Sequence, residues 1–87
     1  MSLELFTEIA LNRDIAESHL KAGDIATLID FVPHPKEDEQ GCVLEIFNAV
    51  SESIAVVTVP ISAIKPLAAN EVLTIRPFDK IIYTISL

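Results

Sequence analysis

From Asp24 to Val32 the chain reads "DIATLIDFV", and its side chains fall into two interleaved sets. Ile25, Thr27, Ile29 and Phe31 form one set; Ala26, Leu28, Asp30 and Val32 form the other. A period of two belongs to a strand, because successive side chains leave opposite faces of a sheet. The same short-strand rhythm recurs along the chain. "TEIALNR" (Thr7–Arg13) sets Ile9 and Leu11 against Glu8, Ala10 and Asn12. "CVLEIFNA" (Cys42–Ala49) follows as a hairpin partner for Asp24–Val32. "IAVVTVP" (Ile54–Pro60) is nearly all apolar, which predicts a strand covered on both faces. The one helical rival is Ser2–Ala10, where Leu3, Phe6 and Ala10 have helical spacing.

The connections carry their own signals. Asp14–Gly23 is polar, with Ile15 and Leu20 as apolar anchors. Pro33–Gly41 holds two prolines and a charge cluster, which together make a loop. Val50–Ser53 reads as a tight turn, and Ile61–Ile64 suits a single 3₁₀ turn before a short strand at Lys65–Leu67. Gly23-Asp24 stands where a long connection must swing into the next strand. Glycine supplies a positive φ without steric cost, and an aspartate there can hold nearby backbone N–H groups. Gly23 and Asp24 are therefore expected to be a structural turn.

Strand, long connection, three meander strands, a 3₁₀ turn and a short last strand is the order of an SH3-like barrel. The expected fold is mainly β: a small SH3-like five-stranded barrel over residues 1–67, with a C-terminal strand extension over 68–87. In that extension Glu71–Ile75 is strand-like, Pro77 interrupts, and Lys80–Leu87 is strand-like again. Ile81, Tyr83, Ile85 and Leu87 would share one apolar face. Such an edge either covers its own barrel or recruits a second chain. A homo-oligomer with Lys80–Leu87 in its interface is the expectation.

These segments resemble a family of small bacterial domains known only as domain of unknown function 4926. The resemblance rests on "FTEIALNRDI" (Phe6–Ile15), "LKAGDIATLID" (Leu20–Asp30), "GCVLEIF" (Gly41–Phe47) and "VVTVPISAIKPL" (Val56–Leu67). It implies an SH3-like barrel and brings no catalytic residues.

Composition narrows the function. Thirteen acids stand against six bases, for a net charge of −7. The first 39 residues hold nine of those acids and three of the bases. Such a surface repels a phosphate backbone, so neither nucleic acid nor an anionic membrane is an expected partner. No apolar run approaches the ~20 residues of a membrane span. The single cysteine, Cys42, can form no internal bridge, which fits a reducing cytoplasm.

Candidate chemistry is sparse. His19, His34 and Cys42 show no metal-ligand spacing. Cys42 has no base near it in sequence and reads as a core residue. Glu37, Asp38 and Glu39 are adjacent on a loop, with no fixed separation for paired-carboxylate catalysis. With two glycines in the chain there is no phosphate-cradling loop. Phe6, Phe31, Phe47, Phe78 and Tyr83 are spaced as core aromatics, not as a proline-binding groove. No catalytic residue, cofactor or metal is expected.

What remains is a non-enzymatic, cytoplasmic, acidic protein-interaction domain. One concrete form is an immunity or antitoxin-like protein that neutralises the product of a neighbouring gene. Glu37, Asp38, Glu39, Ile81, Tyr83 and Ile85 are the candidate interaction residues. The alternative is a regulatory module that senses a small molecule or metal through the Pro33–Gly41 loop.

Overall fold

A computed structural model describes residues 3–33 and 39–78. Five strands form one antiparallel sheet: β1 (Glu8–Leu11), β2 (Ile25–Pro33), β3 (Gln40–Phe47), β4 (Ser53–Pro60) and β5 (Ile64–Pro66). Their spatial order is β4-β3-β2-β1-β5. Short 3₁₀ turns at Ala16–Ser18 and Ile61–Ala63 complete the described secondary structure. The five strands and the 3₁₀ turn predicted over residues 7–67 thus appear in the predicted order. Closure does not: among the described residues no ladder joins β4 to β5, so the structure shows an open five-stranded sheet.

One face of the sheet carries an apolar core. Ile9, Leu11, Leu28, Cys42, Leu44 and Val59 are at most 1% exposed. The register explains the set. Leu28 lies opposite Leu44, and Leu44 opposite Val57, so one row of side chains crosses three strands. No polar or charged side chain is buried among the described residues, so the charge stays outside.

The alternation of β2 is broken once. The pairing shifts between Leu28, opposite Leu44, and Asp30, opposite Val43. Ile29 is the extra residue of this β-bulge, and it reverses the faces beyond it. Phe31 then lies opposite Cys42 and packs on the core, while Asp30 turns to solvent. The predicted sharing of one face by Ile25, Thr27, Ile29 and Phe31 therefore fails at the bulge. Periodicity cannot reveal a bulge, because a bulge is a property of the pair of strands.

Three other expectations are corrected. β4 is not covered on both faces. It is an edge strand whose Ala55, Val57 and Val59 serve the core, while Val56 stays 59% exposed. The N-terminal segment is not a helix. Its chain turns at Leu5–Phe6, and Phe6 takes a left-handed φ of 64° that leaves the ring 74% exposed. Glu71–Ile75 forms no strand. The expected strand Lys80–Leu87 lies outside the described residues.

Candidate interaction surface

The Gly23-Asp24 turn is built from backbone geometry first. Gly23 has φ 93°, at the third position of a turn from Lys21 to Asp24. The Asp24 N–H donates to the Lys21 carbonyl at 3.0 Å, and the Lys21 N–H donates to Asp24 Oδ2 at 2.8 Å. Only glycine holds a φ in that region without strain. The turn then docks on the end of β1. The Gly23 N–H donates to the Leu11 carbonyl at 2.7 Å, and the Leu11 N–H to the Asp24 carbonyl at 2.8 Å.

Arg76 reaches this turn from the far end of the described chain. Its Nε donates to Asp24 Oδ1 at 2.8 Å and its Nη2 to Asp24 Oδ2 at 2.5 Å. Nη2 also donates to the His19 carbonyl at 3.0 Å. The guanidinium lies 6.0 Å from the centre of the Phe78 ring, which meets the His19 ring edge-on at 6.4 Å. Burial pushes the Asp24 carboxyl up, but hydrogen bonds from Arg76 and the Lys21 backbone, with their positive charge, outweigh it. Its pKa lies below the ordinary value. The group is therefore a structural anion and no proton donor at neutral pH.

Residues 67–78 thus form a strap fixed near both ends. At its start Lys65 Nζ donates to Glu71 Oε2 at 2.6 Å, and the Ala68 N–H donates to Glu71 Oε1 at 2.7 Å. The hydrogen bond from Lys65 leads the causes that hold the Glu71 carboxyl below its ordinary pKa. A groove of about 240 Å³ lies between the strap and the sheet, lined by Ala10, Gly23, Ile25, Leu67 and Leu73, among others. The strap explains why Ala10, on the face opposite Ile9 and Leu11, is only 4% exposed. The strap's own apolar side chains remain largely exposed: Val72 is 86% exposed, Leu73 59% and Ile75 95%.

A second knot ties the acidic connections together. Glu39 accepts the Ser62 N–H at 2.8 Å on Oε1 and the Ser62 hydroxyl at 3.1 Å on Oε2. Asn12 Nδ2 donates to the Ser62 carbonyl at 2.8 Å, and Arg13 Nη1 to the Ser62 hydroxyl at 3.4 Å. The start of the β1–β2 connection, at Asn12 and Arg13, and the end of the β2–β3 loop, at Glu39, therefore meet on Ser62. Asp14 also holds this connection in shape, by accepting the Ala22 N–H at 2.8 Å.

Of the candidate interaction residues, Glu39 is placed in this knot. Glu37, Asp38, Ile81, Tyr83 and Ile85 lie outside the described residues. Cys42 is fully buried, and burial followed by the charge of Glu39 pushes its thiol pKa up. That is the reverse of an activated nucleophile. Among the described residues, no three His, Cys, Asp or Glu side chains gather on one point. No described helix is long and apolar enough to cross a membrane.

Arg76, Phe78 and Ser62 were not candidates on sequence grounds. Asp24 and Arg76 stand 52 positions apart. The one local hint was an arginine set between an apolar run and Pro77-Phe78. The chain matches no protein-family model, no curated protein and no solved structure.

Proposed function

We propose that this chain is a non-enzymatic, cytoplasmic protein-interaction domain that binds a partner with a basic surface. The observation that carries the reading is the knot at Ser62. It ties Glu39, at the end of the acidic β2–β3 loop, to the start of the β1–β2 connection, beside a sheet whose described core contains no polar side chain. Asp14, Glu17 and Glu39 stand on those connections, and Glu37 and Asp38 immediately precede Glu39 in sequence. A field of one sign steers an oppositely charged surface and excludes like-charged ones. An immunity or antitoxin-like protein uses such a field, because an acidic surface imitates the nucleic acid that a toxic enzyme would bind.

The strand order β4-β3-β2-β1-β5 supports an SH3-like barrel opened between its edge strands. Membership of domain of unknown function 4926 belongs to the same proposal. So does self-association, whose expected segment Lys80–Leu87 lies beyond the strap.

Affinity purification of the tagged chain from its native host tests the reading, run beside the Glu37→Lys/Asp38→Lys variant. The expected result is one stoichiometric basic partner, released by salt and lost from the variant. A partner retained equally by both chains contradicts the proposal, as does recovery of no specific protein.

A further inference from the structure

The strap lies on the sheet without joining it. Among the described residues, no hydrogen bond engages the backbone of Val72, Leu73, Thr74 or Ile75. Three of those four side chains are large and apolar, yet each is more than half exposed, so the segment buries little. The sheet beneath is bonded strand to strand, and its core side chains are shielded. A segment with few buried apolar contacts and few backbone hydrogen bonds opens at lower free energy than the core it covers.

The attachments are at the ends. Phe78, just past the strap's far end, packs against the core. At the near end the Lys65–Glu71 pair is open to water, with side chains 47% and 31% exposed, and such a pair holds weakly. The Asp24–Arg76 pair is the more shielded of the two and is made through two hydrogen bonds. Between these ends Val72, Leu73 and Thr74 form one wall of the groove, and Ala10, Leu11, Gly23 and Ile25 lie across from them.

We infer that residues 67–76 are a lid over this groove, which opens as a unit while the sheet stays folded, and that the Asp24–Arg76 pair is its latch. Opening breaks the pair, lifts Leu73 from the groove and uncovers Ala10. Leu28, Leu44 and Val59 stay where they are, because none of them lines the groove. The lid stands whether or not the proposed function holds, since no partner is needed to form it.

The test is maleimide labelling of the full chain carrying Ala10→Cys, with positions 10 and 42 followed separately by peptide mass. Cys42 reports opening of the sheet. In native buffer, position 10 should react at least tenfold faster than Cys42 and at least tenfold slower than in the unfolded chain. Low urea should leave the rate at position 10 nearly flat, since lifting the lid exposes little surface, and should speed Cys42 steeply. Adding Arg76→Gln should speed position 10 at least fivefold. Adding Ile46→Val, a core change away from the groove, should speed Cys42 and leave position 10 as it was. Ile25→Cys lines the same groove and takes over as reporter if Ala10→Cys does not fold. The same rate and urea dependence at the reporter and at Cys42 would overturn the inference, because lid and sheet then open together. So would a reporter as reactive as in the unfolded chain, or one that Arg76→Gln leaves unchanged.

Discussion

Arg76 holds Asp24 through a two-pronged contact, Nε on Oδ1 and Nη2 on Oδ2, across 52 positions of sequence. The guanidinium fork matches a carboxylate in a way that a lysine ammonium does not. Both side chains are largely shielded, at 26% and 18% exposure. The pair joins the glycine turn at the start of β2 to the end of the strap.

Arg76→Met should therefore lower stability by about 1–3 kcal/mol, the worth of a hydrogen-bonded ion pair in a partly shielded site. In a domain of this size each kcal/mol moves the melting temperature by about 4–8 °C. Arg76→Lys should recover less than half of the loss, since the charge returns without the fork. Thermal melts of the three proteins check this. Equal melting temperatures would show that the strap is not clamped by this pair.

Asp24 also predicts a pH dependence. Its folded pKa lies below the ordinary value, so as pH falls the unfolded chain takes up this proton first. The stability that the pair contributes is complete above the unfolded pKa of about 3.9. It is lost as pH falls through the folded value. Urea unfolding across the acid range should show a steeper decline for wild type than for Asp24→Asn. Parallel curves would contradict the assignment.

The two glycines should fail for different reasons. A Cβ on Gly23 meets nothing within 4 Å, so its substitutions cost only the strain of φ 93°. Gly23→Val should lose about 1–3 kcal/mol. A Cβ on Gly41 would stand 3.1 Å from the Val32 carbonyl oxygen and 3.2 Å from the Thr58 methyl. Gly41→Ala should be destabilising by crowding between β2 and β4, and Thr58→Ser should relieve part of it. Melts of Gly41→Ala, with and without Thr58→Ser, check the second claim.

Cys42 should be inert in the folded chain. It is fully buried with its pKa raised, so a thiol reagent should modify it only when the sheet opens. Labelling should accelerate steeply at the urea midpoint. Labelling as fast in native buffer as in urea would contradict the buried position.

Much of the fold was legible because strands and turns leave local marks. Alternation fixed the strands around Ile9, Leu28 and Leu44, and Gly23 marked its own turn. What was hidden depends on pairs of elements. The bulge at Ile29 reverses β2 only with respect to β3. Val56 looked like a core residue because edge position is a fact about neighbours. The Asp24–Arg76 clamp brings together residues that no local pattern relates. The candidate surface was legible as charge, in the acids of the first 39 residues, and illegible as shape. It takes the hydrogen bonds of Ser62 to bring Asn12, Arg13 and Glu39 to one place.

The central claim is that an acidic end of this sheet binds a basic partner. Its most direct measurement is the dissociation constant of the purified complex as a function of salt. Charge-driven recognition weakens as ionic strength rises and the Debye length falls from about 10 Å at 0.1 M toward 3 Å at 1 M. The account predicts at least a tenfold loss of affinity over that range, and a shallower slope for Glu37→Lys/Asp38→Lys. A dissociation constant unmoved by salt, with the same slope in both chains, would contradict it.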